Sequence, residues 1–118
     1  MWFKVDDTFH SHPKVRAAGL EAVGLWTVAG AYSMSYKTDS FVPDWFVESW
    51  PGGAESAEKL VRAELWKRGK HAGQSGFVFH DWDDYQPLSD EIERERRRAR
   101  ERQQEYRRRR RENAESHG

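Results

Sequence analysis

The spacing of apolar positions in the first third of the chain is that of helices. Pro13–Ala18 begins with a proline after turn-forming residues, and Gly19 ends it, which predicts a short helix. From Leu20 to about Tyr36 the apolar residues recur on more than one helical face. A helix that is apolar on several faces is buried, so we expect this second helix to form part of the core.

Two more helices are predicted on either side of a glycine-rich break. Residues 41–42 form a very short strand that Pro43 stops, and a short helix then runs to Trp50. Residues 51–53 break that helix, and residues 54–66 form the clearest amphipathic helix of the chain. Its apolar stripe comprises Ala57, Leu60, Val61 and Leu65. Its predicted polar face comprises Glu55, Ser56, Glu58, Lys59 and Arg62.

A β-hairpin is predicted after this helix. Residues 67–76 contain three glycines and are predicted to form the hairpin loop, and residues 76–82 the closing strand. The loop would carry four basic or titratable side chains at its tip: Lys67, Arg68, Lys70 and His71. A glycine-rich tip has no packing need for these side chains, so they indicate contact with an anionic partner.

A helix pair that is joined by a glycine-rich break and followed directly by a hairpin is the outline of a winged helix-turn-helix. The predicted fold class is therefore α+β, mostly α, over residues 1–88. In such a fold the second helix of the pair enters the DNA major groove. Ser56, Lys59 and Arg62 would face base edges or the backbone, and the hairpin, as the wing, would hold phosphates with its bases.

Several stretches together resemble a group of small phage and prophage proteins, chiefly from actinobacterial phages. They are MWFKVDDTFHSHPKV, GLEAVGLWTVAGAYSMSYKTDSFVP, LWKRG, GFVFHDWDDYQP and the Arg/Glu-rich tail, and they cover Met1 to about Arg111. These proteins are similar to the N-terminal winged-helix domain of phage replisome organisers and replication initiators. The resemblance implies binding of double-stranded DNA by residues 54–66 and 67–76, in replication initiation or a regulatory offshoot of it.

The helix expected to enter the groove is less basic than its role requires. It carries three glutamates, at positions 55, 58 and 64, against the two bases Lys59 and Arg62. Neutralisation of phosphates supplies much of the affinity of DNA-binding proteins. The alternative is a winged-helix scaffold for protein contact, which recruits or inhibits a host protein. A host or phage replication protein is a candidate partner in both cases.

The net charge of zero conceals a division of the chain. Residues 1–88 carry 9 Lys and Arg against 12 Asp and Glu, whereas residues 89–118 carry 11 Arg against 8 acids. The two parts therefore have net charges of −3 and +3. All tryptophans and phenylalanines lie in the first part, so the predicted core belongs to residues 1–88, and residues 89–118 form a charged helix or a partly disordered tail.

The tail ends in a run of five arginines: Arg107, Arg108, Arg109, Arg110 and Arg111. One interpretation is a solvated helix without a binding role, and another is that the run adds phosphate contacts beside the domain. An RNA ligand is a weaker interpretation because no aromatic stacking platform accompanies the arginines. Ile92, Ala99 and Tyr106 recur every seventh residue and could dock the helix on the domain or on a second copy, as a homodimer.

The chain offers no catalytic signature. It has no cysteine, no nucleophile elbow and no glycine-rich phosphate loop, so we expect neither an enzyme nor a cofactor. His10 and His12 beside Asp6 and Asp7, and the acidic stretch 80–84, lack the ligand spacing of a zinc site. We therefore expect no metal.

The start MWFKVDD has neither the basic nor the apolar region of a signal peptide. The longest uncharged run, residues 22–36, is shorter than the roughly 20 apolar residues of a membrane span. The absence of cysteine is compatible with a reducing compartment. We therefore expect a cytoplasmic protein that does not contact a membrane.

We expect large aromatic side chains to form most of the core, since each buries a large surface area. Those predicted to be buried are Trp26, Trp45, Phe46, Trp66, Phe77 and Phe79. The pattern predicts that Trp50 anchors its helix. It does not decide whether the side chains of Trp2, Trp50 and Trp82 are buried. Two of these three exposed together would mark a surface for a partner.

Overall fold

The computed structural model describes residues 2–86 and 89–116. Contacts divide the chain into two units, Met1–Gln86 and Pro87–Gly118. The sequence predicts a domain boundary after residue 88. Residues 87 and 88 lie outside the described residues, so this boundary stays a prediction. The second unit contains one long helix, and the elements of the first unit are described below.

The first unit is mostly helical and has one small antiparallel sheet, so the α+β class is confirmed. A single 3₁₀ turn, Phe9–Ser11, precedes its elements. These are α1 (Pro13–Ala18), α2 (Leu20–Tyr36), β1 (Phe41–Pro43), α3 (Asp44–Glu48), α4 (Gly53–Arg62), β2 (Trp66–His71), β3 (Gln74–Phe79) and α5 (Trp82–Tyr85). The second unit contains α6 (Ser89–Ser116).

The first two helices have the predicted bounds because local signals fix both ends. Pro13 occupies the first turn of α1, and the His12 ring caps it by accepting a hydrogen bond from the Lys14 N–H at 3.2 Å. Gly19, with φ of +86°, separates α1 from α2, and this backbone conformation strongly favours glycine. Lys37 ends α2 in the left-handed conformation.

The sheet has the strand order β1-β3-β2, and both pairs are antiparallel. Gly76 in the central strand lies opposite Pro43 of β1 and Gly69 of β2. A β-carbon at Gly76 would collide with the Val42 carbonyl oxygen and would lie 2.9 Å from the Pro43 Cα. The close approach of β1 to β3 therefore requires glycine at this position.

The structure corrects the predicted bounds of the second half of the domain. α4 ends at Arg62 rather than Trp66, and β2 then begins at Trp66. Trp66 is buried and pairs with Phe79, and this pairing draws residues 67–71 into a strand instead of a loop. The turn consists only of Ala72 and Gly73, which both have positive φ, as a two-residue hairpin of type I′ requires.

The closing strand is also shorter than predicted. β3 ends at Phe79, so residues 80–82 do not belong to the strand as predicted, and residues 82–85 form the helical turn α5. Asp81 precedes this turn with φ of +55°, which bends the backbone out of the sheet.

The N-terminal segment closes one side of the core. The Phe3 ring packs against Trp26, with ring centroids 4.9 Å apart, and also contacts Phe79 and Trp82. Two hydrogen bonds hold the segment: the Lys4 N–H donates to the Gln86 side chain at 2.9 Å, and the Gln86 amide donates to the Lys4 carbonyl at 2.6 Å. These two reciprocal hydrogen bonds resemble the pair that opposite residues exchange in antiparallel strands.

The aromatic core is confirmed in part. Trp66, Phe77 and Phe79 are buried as predicted, whereas Trp26 and Phe46 are only half-buried. Trp82, whose burial the pattern left open, is buried. The prediction for Trp45 is wrong, because its side chain is 57% exposed. α3 has only five residues and buries Val47, which leaves Trp45 on its outer side. Among the described residues, no helix is both long enough and apolar enough to cross a bilayer.

Two glycines give a matched test of this packing. We expect Gly76→Ala to destabilise the domain by about 1–3 kcal/mol because the added methyl group meets backbone. Gly24→Ala should stabilise it by about 0.5–1 kcal/mol, since Gly24 lies within α2 and its β-carbon would meet nothing within 4 Å. Urea unfolding measures both, and equal effects would contradict the described sheet register.

Candidate nucleic-acid interface

The exposed face of α4 is narrower than predicted. Lys59 and Arg62 are exposed, but Ser56 is only 6% exposed. Ser56 lies one helical turn before Leu60, which is fully buried, so both side chains point to the core. The prediction that Ser56 faces DNA is therefore wrong. The small volume of serine explains how a polar side chain fits among the apolar residues of this face.

The four side chains predicted at the hairpin tip lie along β2 instead. Neighbouring residues of a strand point to opposite faces of the sheet. Lys67 and His71 lie on one face, whereas Arg68 and Lys70 lie on the other, beside Phe77 and Ser75 of β3. All four are exposed, but they are divided between two surfaces.

Arg68 is bound by an acid. Its guanidinium forms two hydrogen bonds with the Asp44 carboxylate, at 2.7 and 3.2 Å, in the forked geometry that arginine favours. The same guanidinium lies over the Phe77 ring, 4.4 Å from its centroid. The hydrogen bonds that Arg68 donates to Asp44 raise the pKa of Arg68 above its ordinary value. The charge of Arg68 is thus permanent, but a neighbouring charge compensates it.

The remaining bases of this surface have no such partner. The side chains of Lys59, Lys67 and Lys70 form no hydrogen bond or ion pair within residues 2–86 and 89–116. Arg62 lies 4.0 Å from Glu58, and both side chains are largely exposed, so this pair contributes little to stability. The His71 ring lies 5.4 Å from that of Phe41. Three lysines and one weakly paired arginine therefore supply the positive charge of the candidate interface.

A groove of about 590 Å³ lies between α3, α4 and the hairpin. Its floor is apolar, formed by Val47, Val61 and Phe77. Its charged lining comprises Asp44, Glu48, Glu58, Arg62 and Arg68. Three acids against two bases do not favour an anion inside the groove. A polyanion would instead meet the lysines that lie outside it.

The arginine run of the tail lies within α6. Arg109 forms a 2.7 Å hydrogen bond with Glu105, and Arg108 lies 3.8 Å from Glu112. Arg107, Arg110 and Arg111 form no ion pair among the residues that the structure describes. Consecutive helical residues are 100° apart, so five of them surround the helix. The run therefore presents two or three arginines, not five, to any one partner. The Ile92 side chain lies outside the described residues, so the predicted docking stripe stays a prediction.

Sequence reasoning missed a row of exposed rings on α2 and α3. Trp45, Tyr36 and Trp50 are 57%, 70% and 43% exposed, and half-buried Tyr32 and Phe46 connect them. Three aromatic residues, at positions 45, 46 and 50, could have indicated this exposure. One short helix cannot bury them all.

Among the described residues, no group of three or more His, Cys, Asp or Glu could hold a metal ion. No protein-family model, no curated protein and no solved structure matches the chain. The family resemblance therefore stays a prediction, and the function must be argued from the geometry of the surface.

The Arg68–Asp44 pair gives a second test. In a double-mutant cycle of Arg68→Gln and Asp44→Asn, we expect a coupling energy of about 0.2–1 kcal/mol, because both side chains are substantially exposed. Thermal or urea unfolding of the four proteins measures it. A coupling of zero would contradict the expected contribution of the pair to stability.

Proposed function

We propose that the first unit is a winged helix-turn-helix that binds duplex DNA without catalysis. The observation that carries the proposal is the topology: α2, β1, α3, α4 and the β2–β3 hairpin follow each other in that order, and the strands are ordered β1-β3-β2. This order is consistent with a winged helix, in which α4 would be the recognition helix and the hairpin the wing.

The proposed contacts follow from the exposed bases. α4 would present Lys59 and Arg62 to the major groove, and the hairpin would place Lys67 or Lys70 on the flanking phosphates. Arg68 could join only if a phosphate displaced Asp44. The arginines at the end of α6 would add contacts that do not depend on sequence.

The biological setting is the one implied by the sequence resemblance. We propose a role in the bacterial host cytoplasm, in phage replication initiation or phage gene regulation. A replication protein of the host or phage, and a second copy of the chain, are the proposed protein partners.

Single lysine substitutions identify the face of the hairpin that meets DNA. Since Lys67 and Lys70 lie on opposite faces, we expect only one of Lys67→Ala and Lys70→Ala to weaken binding to a random duplex. That variant should also reduce the salt dependence of the affinity by about one ion. Fluorescence anisotropy between about 50 and 200 mM salt measures both quantities.

Arg16→Ala is the matched control for this experiment. It removes the same charge from an exposed position on α1 and should leave binding nearly unchanged. If all three variants bind as the original chain does, the hairpin has no part in binding. If the control weakens binding as much as the others, the attraction is only a general effect of charge.

The Asp44 carboxylate gives a prediction in the opposite direction. Asp44→Asn removes a negative charge and releases Arg68, so the affinity for random duplex DNA should increase. If Asp44→Asn leaves the affinity unchanged, the face of the hairpin that carries Arg68 does not contact DNA.

Replacement of Arg107–Arg111 by glutamine should decrease the affinity for random duplex DNA, because tail phosphate contacts are lost. The same anisotropy titrations give both results.

A second candidate function is a protein-interaction module. The row of exposed aromatic rings and the net charge of −3 on residues 1–88 favour it. Salt separates the two functions, since an apolar interface responds weakly to salt whereas DNA binding weakens steeply.

A further inference from the structure

Five aromatic side chains, on α2, on α3 and just after α3, form one continuous surface, called here the aromatic surface. They are Tyr32, Tyr36, Trp45, Phe46 and Trp50. Tyr32 is its centre: its ring centroid lies 4.9 Å from Tyr36, 5.8 Å from Trp45 and 4.6 Å from Phe46. Phe46 extends the row to Trp50, at 6.2 Å.

This surface is more than the outer layer of the core. Tyr36, Trp45 and Trp50 are exposed and lie next to one another through their half-buried neighbours, whereas isolated surface aromatics need no explanation. Tryptophan and tyrosine are also the residues that most often dominate binding energy at protein interfaces. A contiguous row of such rings therefore indicates a docking site.

The charges beside the surface select its occupant. α3 carries two acids and no base, and because Arg68 compensates Asp44, Glu48 is the acid that remains. The last turn of α2 has no base, and Lys37 follows directly after Tyr36. Glu48 is exposed and lies one turn from Trp45, and it forms no ion pair within the described residues. The faces of aromatic rings are electronegative as well. This combination attracts cations and repels phosphates.

The domain already binds one cation in this manner. The Arg68 guanidinium stacks on Phe77 and is held by the Asp44 carboxylate, at the opposite side of α3 from Phe46. A ring face with an adjacent carboxylate is thus a working arginine site in this fold. At the edge of the aromatic surface, Glu48 of the groove lining lies one helical turn from Trp45, and together they provide the same two components without an internal arginine.

We propose that the aromatic surface binds a cationic segment of a partner protein, with an arginine or lysine side chain on the ring of Trp45 and against the Glu48 carboxylate. Arginine is the preferred residue because its planar guanidinium both stacks and pairs with carboxylates. This inference does not depend on DNA binding, which would use α4 and the hairpin.

The test uses the full chain and a capped peptide of four Arg-Gly repeats. Trp45→Ala should weaken peptide binding about two- to thirtyfold, as the loss of a cation–π contact predicts. Glu48→Gln should also weaken it, and a Lys-Gly peptide should bind less tightly than the arginine peptide. Isothermal titration calorimetry measures the affinities, and circular dichroism verifies that each variant is folded.

Trp2→Ala is the matched control, because Trp2 is 85% exposed and lies outside the aromatic surface. It should bind the peptide as the original chain does. Tyr36→Ala is a second variant that removes an exposed ring if Trp45→Ala fails to fold. Equal weakening by Trp2→Ala and Trp45→Ala would overturn the proposal, and so would equally tight binding of a Glu-Gly peptide.

Two other occupants would also overturn it. If oligothymidine alone binds the chain and Trp45→Ala weakens that binding, the surface stacks single-stranded nucleic acid. If analytical ultracentrifugation shows self-association that Trp45→Ala abolishes, the occupant is a second copy. Binding of Trp45→Ala to random duplex DNA should be unchanged, so a failure of this inference is distinguishable from a failure of the proposed DNA binding.

Discussion

Burial of Trp66 against the central strand is the interaction on which the surface depends. Its ring contacts Phe77 and Phe79, both at 5.4 Å between centroids, and its backbone begins the pairing of β2 with β3. Because strand side chains alternate, this one anchor determines the face of every later residue of β2. It separates Lys67 from Arg68 and brings Arg68 to Asp44. The charge pattern of the hairpin is thus a consequence of core packing.

The helices were predictable because their signals are local. Pro13 and Gly19 bound α1, and the distribution of apolar residues over several faces identified α2 with its full length. The hairpin was predictable as a pair of strands but not in its register, since residues 67–71 are polar or glycine and show no strand alternation. Only the pairing of Trp66 with Phe79, which is a tertiary contact, makes them a strand.

The candidate site was predictable in its parts but not in their arrangement. Sequence identified the bases, yet it could not show that Arg68 is compensated by Asp44, 24 positions away. It could not place Ser56 in the core either, because a serine among glutamates has the pattern of a solvent face. What remains positive is smaller and more divided than the sequence indicated, and it consists mainly of lysines on α4 and β2.

The two sides of α3 connect these results. One side contributes Asp44 to the groove beside the hairpin, and the other contributes Trp45 and Phe46 to the aromatic surface. A mapping of backbone amide shifts by NMR, during titration with random duplex DNA, tests the central claim most directly. The account predicts that the shifts concentrate in α4 and the β2–β3 hairpin and that salt reverses them. Shifts confined to the aromatic surface, or none at all, would contradict DNA binding by this domain.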